Sequence, residues 1–284
     1  MLDLERVMSW PFPPLEQQVT NKDCLLYALS LGYGRNPLDG DELRFVYEED
    51  LKVVPSMAAV IAHPALWSRH PATGIDWTRI VHGQQSVLFH RPIPPAATVV
   101  GQTRVLGVED KGAGKGALVY TENRLTIKAT GEPLASIVRS SFCRGDGGCG
   151  SAGERGQADS PVPQRPPDRT VDITTEPWQA LLYRLNGDFN PLHASPAAAR
   201  RAGYEQPILH GLCTYGIACR AVLASYCHNE PARLGALRAR FTAPVIPGET
   251  LRTHLWSEAG TLRFECRVVE RDRIVLGAGA ATVA

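Results

Sequence analysis

The sequence predicts an α+β chain in which one unit, a helix wrapped by an antiparallel sheet, occurs twice in tandem. Three observations predict it. First, the two halves repeat each other at domain scale. Gly34-Arg35-Asn36-Pro37-Leu38-Asp39 is a degenerate copy of Asp188-Phe189-Asn190-Pro191-Leu192-His193, with the asparagines 154 positions apart (190 − 36). Phe89-His90-Arg91-Pro92-Ile93-Pro94-Pro95 matches Phe241-Thr242-Ala243-Pro244-Val245-Ile246-Pro247, with the phenylalanines 152 apart (241 − 89). Second, each half has a helical beginning and then four strand candidates. Third, residues 144–170 are dense in Gly, Pro, Ser and charge, the composition of a connector. The expected organisation is an N-terminal unit 1–143, a linker 144–170 and a C-terminal unit 171–284.

In the first half, residues 1–20 are broken by prolines and read as a surface arm. Leu25, Leu26, Tyr27 and Leu29 suggest a helix from Asn21, its expected cap, to Leu31, with Gly32 and Gly34 ending it. A second helix starts near Pro55, and Pro64 stops it after little more than two turns, because proline lacks the N–H a helix interior needs. So short a helix leaves apolar room against the sheet, unless the loop 64–80, with Trp67 and Trp77, fills it. Strands are expected near 84–91, 97–109, 116–128 and 133–143. Gly112-Ala113-Gly114-Lys115-Gly116 lacks the spacing and trailing Ser/Thr of a phosphate loop and falls between two strands, so it reads as a hairpin turn. Arg144-Gly145-Asp146 belongs to the linker.

The second half opens with Trp178, Leu181, Leu182 and Leu185 at the three-and-four spacing of an apolar helix face. Gly187 can take the left-handed conformation that closes it. Ser195-Pro196 starts a short helix by cap and N1 proline, and Gly203 closes that one. Gly211 to about Tyr226 is a long apolar helix. Strands follow at 236–243, 249–257, 261–270 and 273–283.

Composition removes whole classes of function. Thirty basic and 29 acidic residues leave a formal charge of +1, which gives no reason to expect nucleic acid or an anionic membrane as partner. No apolar run approaches the roughly 20 residues of a membrane span. Seven cysteines, an odd number without a C-x-x-C pair, form neither a disulfide framework nor a zinc site. Cys213, Cys219 and Cys227 read as small buried hydrophobes. A reducing, cytoplasmic compartment is expected. Met1-Leu2-Asp3-Leu4-Glu5-Arg6 is not the start of a signal peptide, and Ala281-Thr282-Val283-Ala284 is not a peroxisomal address.

Chemistry concentrates at Tyr183-Arg184-Leu185-Asn186-Gly187-Asp188-Phe189-Asn190-Pro191-Leu192-His193. Asn190-Pro191 forces an extended or turning backbone, so a carboxylate and an imidazole five positions apart can converge on one water or one proton. A lone Asp would cap the following helix and a lone His would pack. The fixed pattern of Gly187, Asn190 and Pro191 around them, with Pro207-Ile208-Leu209-His210-Gly211-Leu212 close behind, argues for more. In the first half Gly34 stands where Asp188 does and Asp39 where His193 does, so one half is equipped for chemistry and the other is not.

These two strings closely resemble the MaoC-like, (R)-specific enoyl-CoA hydratases, the hydratase 2 family. The resemblance implies a double hot-dog fold, with the two sheets continuous if the halves pack as a pseudo-dimer. It implies reversible addition of water to a trans-2-enoyl-CoA, giving the (3R)-3-hydroxyacyl-CoA without metal or other cofactor. Asp188 and His193 match the dyad that handles water and proton, in an order the sequence leaves open. Asn190 would hold the water or the dyad. Gly211 would supply an oxyanion-hole N–H at a helix start, His210 and Tyr183 would position or pack, and Arg200 and Arg201 would meet CoA phosphates. The room in the first half would take a long acyl tail, and a homodimer is the family's habit. A straight-chain fatty acyl-CoA is the first-choice substrate. Branched, dicarboxylic or steroid side-chain acyl groups come next, and a carrier-protein thioester is the remaining option. Hot-dog proteins also include thioesterases, and a non-catalytic acyl-CoA-binding subunit is the alternative from another class.

Overall fold

A computed structural model describes residues 1–64, 67–156, 158–159, 161–258 and 260–284. Residues 65 and 66 of the expected loop, and 157 and 160 of the expected linker, lie outside the described residues. The first half contains α1 (Leu4–Met8), β1 (Leu15–Val19), α2 (Asn21–Ser30), α3 (Gly40–Leu43) and β2 (Ile80–Phe89). It continues with β3 (Ala97–Asp110), β4 (Ala117–Ile127), β5 (Pro133–Cys143) and the two-residue β6 (Ala152–Gly153). The second half contains β7 (Arg169–Thr174), α4 (Gln179–Tyr183), α5 (Pro196–Arg201) and α6 (Gly211–Tyr226). Four strands close it: β8 (Leu234–Phe241), β9 (Thr250–Glu258), β10 (Thr261–Val268) and β11 (Arg273–Val283).

All strands belong to one sheet, ordered β1-β3-β4-β5-β2-β8-β11-β10-β9-β7, with β6 paired to β3. The order β1-β3-β4-β5-β2 is repeated element for element as β7-β9-β10-β11-β8, which is the duplication read from the sequence. The halves join where β2 and β8 pair antiparallel. Ser86 faces Arg238, 152 positions on (238 − 86), the same offset as the two phenylalanines. On either side, Gln84 faces Arg240 and Leu88 faces Ala236. Equivalent residues therefore exchange partners about one central pair, as at a two-fold axis.

One apolar cluster spans both halves. α6 is its centre, with Cys213, Tyr215, Ile217, Ala218, Cys219, Val222 and Leu223 inaccessible to solvent. It approaches α2 of the other half so closely that a Cβ on Gly216 would lie 2.6 Å from Leu31 Cδ2 and 3.2 Å from the Tyr27 hydroxyl. Gly216→Ala should therefore cost about 1–3 kcal/mol of stability through overpacking, measurable as a lowered denaturation midpoint. Beside this contact, Arg220 pairs with Glu42 and lies 4.7 Å over the Tyr33 ring.

Several expectations change. The arm 1–20 contains a helix and the edge strand β1, whose backbone pairs with β3. The cap of α2 is Thr20, in a reciprocal capping box with Asp23, and Asn21 is the first helical residue. The segment after Pro55 is a buried 3-10 turn, Pro55–Ala59, shorter than two α-helical turns. Met57, Ala58 and Ile61 join the apolar cluster with Val87, Val99, Leu125 and Ile137, so this turn itself fills much of the space a long helix would occupy. Trp67 packs on Trp10 and Phe12, and Trp77 is largely exposed beneath Arg69.

The linker is also shorter than 144–170. Asp146 is buried and accepts hydrogen bonds from the Leu2 and Asp76 N–H groups. Asp110 accepts from Gly112, Gly148 and Gly150, and β6 adds to the sheet. A buried carboxylate must find such donors or lose several kcal/mol, which is why this Gly-rich stretch is pinned rather than free. At the other end, β7 begins at Arg169, inside the expected linker.

Candidate active site

The turn after α4 is built by local chain chemistry. α4 passes into a 3-10 turn, Arg184–Asn186, and Gly187 closes it at φ +107. The Asp188 carboxylate accepts from the Asn190 N–H at 3.1 Å, and the Asn190 Oδ1 accepts from the Leu192 N–H at 3.1 Å. These two side chains carry the backbone through Asn190-Pro191 into a short 3-10 turn ending at His193. The same bond occurs in the other half, where Asn36 Oδ1 accepts from Leu38 N–H at 3.1 Å. That half has no dyad, so the bond belongs to the architecture of the turn. The amide oxygen of Asn190 therefore caps the turn, which leaves its amide nitrogen for the expected role of holding the water or the dyad. In the position of His193, Asp39 caps α3 by accepting from Asp41 and Glu42.

His193 is buried, and its Nδ1 lies 2.8 Å from the Ile208 carbonyl oxygen. A carbonyl only accepts, so Nδ1 carries the hydrogen and Nε2 of the neutral ring presents a lone pair. Burial holds the His193 pKa below its ordinary 6.5, against smaller opposing effects of the Ile208 bond and of Asp188. His210 stacks on His193, ring centroids 3.8 Å apart. Its Nε2 donates to the Asp188 backbone carbonyl at 3.2 Å, and Nδ1 has no partner among the described residues. Asp188, His193 and His210 bring one donor atom each to within 4.8 Å of one another. The Asp188 residue is exposed while the imidazoles behind it are buried. The site is thus a carboxylate at a mouth backed by two neutral rings.

Burial, with His193 close by, pushes the His210 pKa down to about 4. The unfolded ring titrates near 6.5, so the unfolded chain binds the proton that the folded chain refuses. Stability from this group is present above pH 6.5 and is lost as pH falls toward 4. Between pH 7.5 and 5 the loss should be about 2 kcal/mol, since each pH unit below 6.5 costs about 1.4 kcal/mol while only the unfolded ring is protonated. Urea unfolding of wild type and His210→Asn at the two pH values checks it, with the difference reduced in the variant by this contribution while the lowered imidazoles of His193, His63 and His82 keep the rest.

Gly211 is the first residue of α6 and His210 its N-cap. The Gly211 N–H therefore has no acceptor one turn back, and it sits at the positive end of a 16-residue helix. A Cβ there would lie 3.2 Å from the Phe241 ring. Tyr183 is buried, its ring 5.0 Å from His210 and 6.0 Å from Tyr27. Arg200 and Arg201 lie exposed in the last turn of α5, in no ion pair among the described residues. The structure thus brings Asp188, His193, His210, Tyr183 and the His210-Gly211 step together, and sets the two arginines on a solvated face.

Sequence periodicity misjudged one face here. Trp178, Leu181 and Leu185 are each more than half exposed, with Phe189 beside them. The residues α4 buries are Gln179, Ala180 and Tyr183. A surface cavity of 570 Å³ is lined by Lys111, Arg144 and Arg240 among others, but by neither Asp188 nor His193.

Comparison with known proteins matches this picture half by half. The MFE-2 hydratase 2 N-terminal domain matches residues 17–145, and the MaoC like domain matches residues 159–278. The probable enoyl-CoA hydratase 2 of Dictyostelium discoideum is 36% identical over 294 residues, 99% of this chain and 97% of its own. The chain belongs to the MaoC-like hydratase 2 family. Another relative, 3-hydroxyacyl-thioester dehydratase Y of Mycobacterium tuberculosis, is 39% identical over 94% of this chain and 93% of its own. The crystal structure of a MaoC-like dehydratase from Phytophthora capsici superposes with a TM-score of 0.87 at 32% identity, covering 99% of this chain and 98% of its own. The fold is the double hot-dog of these MaoC-like dehydratases. Within that frame the dyad half is the C-terminal one, and the N-terminal half lacks the long helix.

Sequence reasoning missed Arg139, His82 and Gln85, which face the same interior from the first half. Their signal was a run of polar residues at inward strand positions. It became legible only once the register placed Gln85 opposite Arg139.

Proposed function

We propose that this hydratase 2 family member is a (3R)-specific 2-enoyl-CoA hydratase and, in reverse, a 3-hydroxyacyl-CoA dehydratase. The observation that carries the reading is the tautomer of His193. With Nδ1–H bound to Ile208, its Nε2 lone pair faces the group that includes the Asp188 carboxylate, beside the free N–H of a helix start. A water held by Asp188 gives its proton to His193 Nε2 as its oxygen bonds to the β-carbon. The π electrons of the enoyl group move to the thioester oxygen, where the Gly211 N–H stabilises the enolate. His193 then returns the proton to the α-carbon. Water is added, and nothing is oxidised or reduced.

The thioester acidifies the α-carbon and conjugation makes the β-carbon electrophilic, so the chemistry asks for no metal or organic cofactor. The spacing of Asp188, His193 and His210 would suit a cation as well as a water. Activity unchanged by a chelator supports the water, and activity lost to chelation and restored by a divalent ion contradicts it. Arg200 and Arg201 are proposed contacts for CoA phosphates on account of their charge and exposure. The exposed apolar residues Trp178, Leu181, Leu185 and Phe189 support a homodimer, which sedimentation tests, with a monomer at all concentrations as the contrary result. Seven unpaired cysteines, six of them buried, support a cytoplasmic setting. No helix among the described residues is long and apolar enough to cross a membrane.

The test follows the conjugated enoyl-thioester absorbance with crotonyl-CoA and a long trans-2-enoyl-CoA, with free thiol measured in parallel. Absorbance should fall without thiol release. Thiol release without hydration would make the chain a thioesterase, and tight binding without turnover would make it an accessory protein.

A further inference from the structure

The interior face of the sheet carries a polar strip that the hydration chemistry does not use. It begins at the proposed oxyanion glycine, where Phe241 packs against Gly211. The His82 ring lies 4.4 Å from the Phe241 ring. Further along β2, Gln85 faces Arg139 of β5 in direct cross-strand register, and Val87 and Ile137 face each other one step beyond, inside the apolar cluster. Gln85 has no solvent exposure, and by distance and angle neither its amide nitrogen nor its amide oxygen has a partner among the described residues, although the amide lies close enough to the His82 ring to act on its pKa. His82 Nε2 and Arg139 Nε are likewise enclosed and unpartnered among the described residues, although both side chains are half-buried rather than sealed.

A strip of this kind is costly to leave empty of partners. The chain offers Arg139 no close counter-charge. Burial draws its pKa down to about 10, outweighing the attraction of Asp188, the carboxylate that acts on it. No salt bridge to Arg139 occurs among the described residues. His63 and His82 face the same guanidinium, and burial together with Arg139 keeps both rings neutral. The neighbours therefore supply donors and neutral rings where an anion is wanted.

We propose that Arg139, with Gln85 and His82, is a subsite for a carboxylate carried on the acyl group of the thioester, so that the preferred substrates are enedioyl-CoAs rather than plain fatty enoyl-CoAs. The inference rests on the hydratase reading and names its substrate class. The strip starts beside the thioester position and runs along β2 and β5, the direction a group joined through the acyl carbons would take. The pantetheine arm is uncharged and would not neutralise a guanidinium. A carboxylate would meet Arg139 through paired N–H···O bonds, the geometry guanidinium favours. A methylene chain would leave both ends of Gln85 and the Arg139 Nε without partners. This revises the expectation of a purely apolar tail pocket.

Two measurements separate this inference from the reading beneath it. Hydration rates are compared for trans-2-octenoyl-CoA and the trans-2-enedioyl-CoAs of six, eight and ten carbons, with wild type, Arg139→Met and Arg139→Lys. Affinity is measured by calorimetry for the unreactive octanoyl-CoA and the saturated diacyl-CoAs. In wild type at least one diacid should exceed octenoyl-CoA in kcat/KM, and its saturated form exceed octanoyl-CoA in affinity, by about tenfold or more. Arg139→Met should lose about 100-fold on that diacid, the scale of removing one partner of an enclosed charge pair. The same variant should lose far less on octenoyl-CoA, so that the diacid preference collapses, and Arg139→Lys should recover part of the loss. A wild-type preference for octenoyl-CoA, with Arg139→Met lowering all substrates alike, would overturn the proposal and leave Arg139 as a counter-charge to Asp188. Diacid preference in the binding measurement without hydration would uphold the subsite and sink the hydratase reading. Equal binding of both classes with normal hydration would do the reverse.

Discussion

Asp188→Asn should lower kcat for enoyl-CoA hydration by about 1,000-fold, within the 10²–10⁴ range of a positioned proton-transfer group, while the protein folds as before. The substitution is clean because Asp188 is exposed and makes one side-chain bond, accepting from the Asn190 N–H. An asparagine Oδ1 can accept the same bond, so the turn survives and only the charge and basicity go. KM should move little if the carboxylate acts on the water rather than on the thioester. Circular dichroism and a melting curve matching wild type, beside the kinetic loss, would place the effect in the chemistry. A loss below tenfold would remove Asp188 from the reaction.

Replacing His193 by alanine should cost about 100- to 1,000-fold in kcat on the same reasoning, and the pH profile carries the sharper test. His193 must be neutral for its Nε2 to accept a proton. Its pKa in the folded protein is lowered by burial below 6.5. The wild-type rate should therefore be flat from pH 6.5 to 8 and fall only at more acidic pH, as the ring takes a proton. The sign matters, because an imidazole paired mainly with a carboxylate would have a raised pKa and a limb above 6.5. A kcat/KM profile measured from pH 4.5 to 8.5 distinguishes the two. An acid limb above pH 7 would contradict the tautomer and the mechanism built on it.

How much of this was legible in the sequence depended on whether the signal was local. The long helix Gly211–Tyr226 and the eight main strands fell within a few residues of their expected bounds, because period, caps and turn residues are local properties. The Asp188–His193 pairing was legible for the same reason, since a proline turn fixes both ends. The edge strands β1 and β7 were not. Each is short and half exposed, and its pairing partner lies about 80 residues away. The face of α4 was misread because Trp178, Leu181 and Leu185 have helical spacing but point outward, while the core is met by Ala180 and Tyr183. Spacing states that residues share a face, and only the tertiary fold states what that face meets. The pinned loop around Asp146 escaped for a related reason. Its composition is that of a linker, and what orders it are the N–H groups of Leu2 and Asp76, 144 and 70 residues away. The structural part that Asn190 plays was not legible either, and its copy Asn36 shows it, since both amide oxygens accept from the N–H two residues on.

In this mechanism a single face of the enoyl group meets both the Asp188-held water and the His193 proton. The direct measurement is hydration of a trans-2-enoyl-CoA in deuterium oxide, with the product's configuration read by chiral chromatography and proton NMR. The expected product is the (3R) alcohol, with deuterium at the α-carbon added to the same face as the hydroxyl. The (3S) alcohol, or deuterium on the opposite face, would contradict it.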